Sequence, residues 1–98
     1  MSLLARYGWY TRKVEKELWQ EVKSILDKQG GIPNGKHLAT VHLVMSGKGS
    51  LINYRLVGSS GNEKIDQALK TAMAGFKVSE PLPDGMPKGM TIKISSQG

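Results

Sequence analysis

The chain has 98 residues, with 14 Lys and Arg against eight Asp and Glu, a net charge of +6 and no cysteine. We expect residues 1–98 to form a single domain with one core, with residues 1–6 as a flexible or expression-derived start. The lack of cysteine excludes disulfides, thiol nucleophiles and thiolate metal sites. The apolar runs are too short to span a membrane, and the opening MSLL is too brief for a signal peptide.

The positive charge is scattered along the chain. Residues 1–36 hold seven bases and four acids, residues 37–58 hold two bases and no acid, and residues 59–98 hold five bases and four acids. Because no segment is a basic run, the charge favours solubility and loose attraction to polyanions over a dedicated nucleic-acid site.

The first predicted element is a helix from Tyr7 to Lys28. Its apolar residues recur at steps of three and four, which places them on one helical face. Trp19 lies beside this stripe and is expected to close one edge of the core. Gly30 and Gly31 end the helix. The predicted stripe consists of Tyr7, Tyr10, Val14, Leu18, Val22 and Ile25.

Two strands are predicted next. Apolar residues alternate with other residues over 40–45 and again over 52–57, where Ile52, Tyr54 and Leu56 share one side. The loop SGKGS at 46–50 is short, so the two strands form an antiparallel hairpin.

The C-terminal part of the chain predicts a helix, a loop and a last strand. Apolar residues at helical spacing indicate a second amphipathic helix over about 62–75. The loop at 78–89 contains three prolines and is expected to be extended and poorly hydrogen-bonded. Met90, Ile92 and Ile94 then alternate with polar residues in the third strand.

These elements predict an α+β fold in the order α-β-β-α-β. The second strand, the crossover helix and the third strand form a βαβ unit, so the first strand runs opposite to the other two. If the third strand lies beside the first, the sheet is antiparallel with the order 2-1-3 and both helices pack on one face. The third strand is then an edge strand with one row of unpaired backbone groups.

The stretch VGSSGNEKID at 57–66 is the candidate for chemistry, because it holds two serines and an aspartate. A catalytic triad needs a histidine near the nucleophile, and the chain has only His37 and His42. The stretch also lacks the G-x-S-x-G spacing of a hydrolase. We therefore predict a structural turn and helix cap, with Ser60 or Asn62 as the cap. The residues assigned to it are Gly58, Ser59, Ser60, Gly61, Asn62 and Asp66.

Other kinds of site are weaker. A phosphate cradle at this turn would meet Glu63 and Asp66, which repel anions, and no Walker lysine follows. Two histidines five residues apart without a third ligand do not make a metal site. We predict no catalytic residue, no metal and no cofactor.

The segment TVHLVMSGKGSLINYRLVGSSGNEKIDQALKTAM at 40–73, with Trp19 before it and PLPDGM after it, carries a family resemblance. It resembles the C-terminal domain of the TonB and TolA energy-transducing envelope proteins, over nearly the whole chain. The helix before Trp19 and the SSGN form are more similar to TolA. The Tyr-Pro pair frequent in TonB proteins and the cysteine pair of some TolA domains are both absent.

The resemblance implies a non-catalytic, periplasmic, protein-binding domain. Such proteins are anchored in the inner membrane and couple its energy to outer-membrane transport or envelope integrity. They grip an outer-membrane receptor or a periplasmic envelope protein, often by adding an extended segment of the partner to the sheet. The upstream membrane anchor and spacer are expected to be missing from this chain.

The resemblance and the free edge together assign partner binding to the third strand. The predicted docking edge consists of Gly89, Met90, Thr91, Ile92, Lys93, Ile94 and Ser95. An open edge also permits a homodimer. The alternative function is a small basic nucleic-acid-binding α/β domain, which predicts steeply salt-dependent binding to DNA or RNA.

Overall fold

The computed structural model describes residues 7–97, so the expected start at 1–6 lies outside the described residues. The elements are α1 (Gly8–Lys28), β1 (Lys36–Met45), β2 (Leu51–Gly58), α2 (Glu63–Met73) and β3 (Gly89–Gln97). The predicted order α-β-β-α-β is confirmed. Neither helix of the described range is long and apolar enough to cross a membrane.

The three strands form one antiparallel sheet in the order β2-β1-β3, as predicted. In its middle row Val41 of β1 lies opposite Leu56 of β2 and Ile92 of β3. Because residues directly opposite each other point to the same side of a sheet, these three side chains share the face that the helices cover. The opposite face of the sheet is left open.

A stripe at steps of four residues anchors α1 on the sheet. Tyr10, Val14, Leu18, Val22 and Leu26 are all fully buried. The sequence pattern had placed Ile25 in the stripe, but Ile25 is half-buried and Leu26 takes the core position. Residues four apart form one of the ridges by which a helix packs at an angle to its neighbours. Because four residues are slightly more than one helical turn, such a stripe drifts around the helix axis.

The second helix completes the core. Ile65, Leu69 and Met73 lie within one face of α2 and are buried against α1 and the sheet. Gly75, with a φ of +80°, follows the end of this helix and reverses the chain toward the loop that leads to β3. Each helix thus contributes one apolar face to a single core.

The proline-containing loop before β3 is not poorly hydrogen-bonded, so that prediction was wrong. The Tyr7 and Tyr10 hydroxyls donate to the carbonyls of Asp84 and Glu80 at 2.8 and 2.9 Å. The Ser79 N–H and hydroxyl both donate to the Glu17 carboxylate, at 2.8 and 2.7 Å. Prolines remove backbone donors, but Tyr7 and the side chains of Tyr10 and Glu17 in α1 hydrogen-bond the loop from outside it.

The second strand is paired as predicted but buries less than its alternation indicates. Ile52 is 64% exposed and Tyr54 is 39% exposed. The register between β1 and β2 shifts twice, between Val44 and Met45 and between Thr40 and Val41, which leaves Ile52 and Val57 without a direct partner. Such bulges turn side chains away from the core.

Candidate functional site

The turn at 58–62 lies at the start of α2. The side chain of Asn62 accepts a hydrogen bond from the Ile65 N–H at 3.1 Å and caps the helix. Ser60, the other candidate for the cap, instead accepts a hydrogen bond from the Asn62 N–H. Gly61 has a φ of +83°, a conformation that favours glycine.

Asp66 holds this turn together. Its carboxylate accepts hydrogen bonds from the hydroxyls of Ser59 and Ser60 and from the Ser60 N–H. Partial burial raises the pKa of Asp66, but these hydrogen bonds and the charge of Lys70 outweigh that effect and lower the pKa below its ordinary value. The carboxylate therefore stays ionised and serves as an acceptor for the turn.

The histidines do not join the serines. The His42 ring bonds the Thr91 hydroxyl on the open face of the sheet, and His37 bonds the Asn34 carbonyl. Within residues 7–97 no hydrogen bond links either histidine to Ser59 or Ser60, and no group of three or more metal-binding side chains is found. Neither histidine is therefore placed to take a proton from these serines.

The free edge of β3 is the second candidate. Nine consecutive residues of β3 pair with β1 without a register shift. One residue beyond the last pair, the Met45 N–H donates to the Lys88 carbonyl at 2.8 Å. Because bonded and non-bonded pairs alternate along an antiparallel ladder, Thr91, Lys93 and Ser95 direct their N–H and C=O groups away from β1.

The side chains along this edge divide between the two faces of the sheet. Those of Met90, Ile92 and Ile94 are buried in the core, whereas those of Thr91, Lys93 and Ser95 are exposed. The residues with outward backbone groups are therefore also the ones with exposed side chains.

The other edge of the sheet, at β2, is less accessible. At its start the Leu51 N–H donates to the Phe76 carbonyl at 3.0 Å, and the Val78 N–H donates to the Gly49 carbonyl at 2.9 Å. The two register shifts interrupt the rest of the strand. Covering segments and bulges are the devices that protect an edge strand from further pairing, so β3 is the more regular free edge.

A groove runs between α1 and the edge of β3. On the helix it is lined by Arg12, Glu15, Lys16 and Trp19, and on the strand by residues 93–95. The sequence pattern predicts that Trp19 closes one edge of the core and that residues 93–95 belong to the docking edge, but that prediction misses Arg12, Glu15 and Lys16. The spacing of residues 12, 16 and 19 was the available signal, because it places them on one side of a helix.

The comparisons with known proteins gave one result. The family model described as TonB C terminal matches residues 7–95. Neither the comparison with curated proteins nor that with solved structures gave a match. The family match does not support the alternative of a nucleic-acid-binding domain.

Proposed function

Because the chain belongs to the TonB C-terminal domain family, we propose that it binds a partner protein of the bacterial cell envelope through the free edge of β3. Domains of this family are non-enzymatic, generally lie in the periplasm and act by contact with other proteins. In our proposal the full-length protein is anchored in the inner membrane and couples its energy to outer-membrane transport or envelope integrity.

The observation that carries the proposal is the difference between the two edges of the sheet. The β3 edge has an unbroken register with outward backbone groups at Thr91, Lys93 and Ser95, whereas the β2 edge is bulged and partly covered. Strand addition requires a regular row of free N–H and C=O groups, and β3 provides it.

The side chains of an added strand would alternate between two environments. Those on the helix side would enter the groove beside Trp19, and those on the open side would lie next to Lys93. The stripe from Arg12 to Trp19 covers eight residues of α1, whose seven steps rise about 10 Å, and this matches the length of about three residues of strand. This geometry fits an extended segment with an apolar side chain toward Trp19 and an acid toward Lys93.

Proline substitution tests the proposal. A short peptide is selected by phage display on the wild-type domain, and its affinity for variants is measured by isothermal titration calorimetry. Thr91→Pro, Lys93→Pro and Ser95→Pro each remove one outward N–H and leave the hydrogen bonds to β1 in place. We expect each to weaken binding about fivefold or more, the effect of losing one main-chain hydrogen bond, and Thr91→Ala to change it less.

Tyr54→Pro is the matched control, because Tyr54 lies on the opposite edge and the same alternation directs its N–H away from β1. Thermal unfolding of each variant establishes that it is folded. Unchanged affinity in folded Thr91→Pro, Lys93→Pro and Ser95→Pro would show that the partner does not add to β3.

A further inference from the structure

The open face of the sheet carries positive charge and no negative charge. None of the eight acids of the chain lies in β1, β2 or β3, whereas Lys36, Arg55 and Lys93 do. All eight acids therefore belong to the helices and to the loop before β3. A partner that approaches the sheet from its open side meets bases without competing carboxylates.

The pairing registers order the side chains of this face into rows. Arg55, His42 and Thr91 form one row across the three strands, with Asn53, Val44 and Gly89 in the row on one side and Gly58, Thr40 and Lys93 in the row on the other. Glycines thus occupy two positions of the face, with the His42 ring beside Gly89 and the Thr40 side chain beside Gly58.

The centre of the face forms a recess beside a free guanidinium. His42, Val44, Asn53, Tyr54 and Arg55 line a depression of about 400 Å³. The His42 ring is bonded through Nδ1 to the Thr91 hydroxyl at 3.0 Å, so it leans toward β3 and away from Arg55. Within residues 7–97 the Arg55 side chain is exposed and forms no ion pair with an acid.

We propose that this open face is a second protein-binding surface, which takes an acidic polypeptide segment. Arg55 binds a carboxylate of that segment, because the planar guanidinium matches a carboxylate in a bidentate geometry. The Asn53 amide adds a donor, and an apolar neighbour of the acid packs on Val44. The open face shares Thr91 and Lys93 with the β3 edge, but the recess beside Arg55 is built by β1 and β2. Binding in the recess does not depend on strand addition at β3.

The chemistry of the face favours an acidic polypeptide over other occupants. Single-stranded nucleic acids stack their bases on aromatic side chains. Tyr54 is among the residues that line the recess, but it lies opposite the buried Leu43, so its ring is directed to the helix side of the sheet and not across the open face. A second copy of the chain would bring the same positive face against this one, which like charges oppose.

The test is a titration of the ¹⁵N-labelled domain with a blocked synthetic peptide of repeated Glu-Glu-Leu. We expect amide shifts at His42, Asn53 and Arg55, and an affinity that falls as salt is added. Arg55→Glu should lower the affinity about tenfold, because it replaces attraction by repulsion. Lys23→Glu makes the same charge change on α1, where Lys23 is exposed. This variant should lower the affinity for the peptide by less than about twofold.

Three results would overturn the proposal. Equal losses of peptide affinity in Arg55→Glu and Lys23→Glu would mean that the peptide is attracted by the net charge of the domain alone. Tighter binding of a DNA duplex to the same residues would mean a nucleic-acid surface. Loss of peptide binding in Ser95→Pro would mean that the peptide adds to β3, in which case the open-face proposal fails while the proposed function of β3 stands.

Discussion

Gly49 lies in the hairpin loop between β1 and β2, with a φ of +87°. A Cβ atom built on it would be 2.7 Å from the Glu80 carbonyl oxygen, which belongs to the backbone of the loop before β3. We expect Gly49→Ala to lower the free energy of unfolding by about 2 kcal/mol or more, since it combines a left-handed conformation with a backbone clash. Urea unfolding measures the change.

Gly47 in the same loop is the control. A Cβ atom there would have no heavy atom within 4 Å. Gly47→Ala should therefore change the free energy of unfolding by less than about 0.5 kcal/mol. Equal losses in the two variants would mean that the contact between the hairpin loop and Glu80 is not what requires glycine at position 49.

The carboxylate of Asp66 makes stability depend on pH. Its pKa in the folded protein lies below the ordinary value of 3.8, because the hydrogen bonds from Ser59 and Ser60 outweigh the effect of partial burial. A lowered pKa means that the unfolded chain binds more protons. Its stabilising contribution is therefore complete above about pH 5 and is lost as the pH falls through the folded-state pKa.

We expect Asp66→Asn to be less stable than the wild type at neutral pH and to approach it in acid, where the wild type loses this contribution. Denaturant unfolding at a series of pH values measures the difference. Glu63→Gln removes the same charge at the same end of α2, and Glu63 is exposed. If Glu63→Gln and Asp66→Asn approached the wild-type stability to the same extent in acid, negative charge at the start of α2 would explain the pH dependence. The hydrogen bonds from the serines would then not be its cause.

At the scale of elements, the pairing of β3 with β1 predicts that the rates of amide hydrogen exchange alternate along the strand. The amides of Met90, Ile92 and Ile94 are directed at β1, and those of Thr91, Lys93 and Ser95 are directed at solvent. We expect slow exchange in the first set and fast exchange in the second. Slow exchange at all six amides of the free domain would mean that the edge is already covered.

The sequence was sufficient for the elements that local periodicity determines. Both helices, the hairpin and the strand order 2-1-3 follow from apolar spacing, loop length and the handedness of crossovers. Ile52 and Tyr54 are exceptions, because their alternation in the sequence is typical of buried residues. In the structure the bulges and the edge position of β2 leave their side chains exposed. Bulges depend on the pairing of two strands and leave no signal in either one alone.

The candidate site was predictable only in part, for a related reason. Placing β3 at an edge needed only topology, and the exposed positions Thr91, Lys93 and Ser95 followed from alternation. The groove with Arg12 and Trp19 depends on how α1 crosses the sheet. The hydrogen bonds from Tyr7 and Tyr10 to the proline loop join residues that are 77 and 70 positions apart in the sequence. Such tertiary contacts cannot be read from spacing within one segment.

At the scale of the whole molecule, the free edge and the net charge of +6 have opposing effects on self-association. The β3 edges of two copies can pair, but like charges repel at low ionic strength. Salt screens that repulsion, so we expect sedimentation velocity to detect more dimer as salt is added at high protein concentration. Ser95→Pro should reduce the dimer and Tyr54→Pro should not. Dimer that decreases with salt would point to an electrostatic interface elsewhere.

The hydrogen bonds between the first turn of α1 and the proline loop also define a mechanical path. Tension applied to the chain ahead of Tyr7 would enter the fold where the Tyr7 and Tyr10 hydroxyls donate to the carbonyls of Asp84 and Glu80, five and nine residues before β3 begins. Part of the load would thus pass directly into the loop before β3 and not through α1 alone. In the proposed complex, a partner strand pulled along the axis of β3 would be loaded in shear, so its hydrogen bonds would share the force instead of breaking one after another.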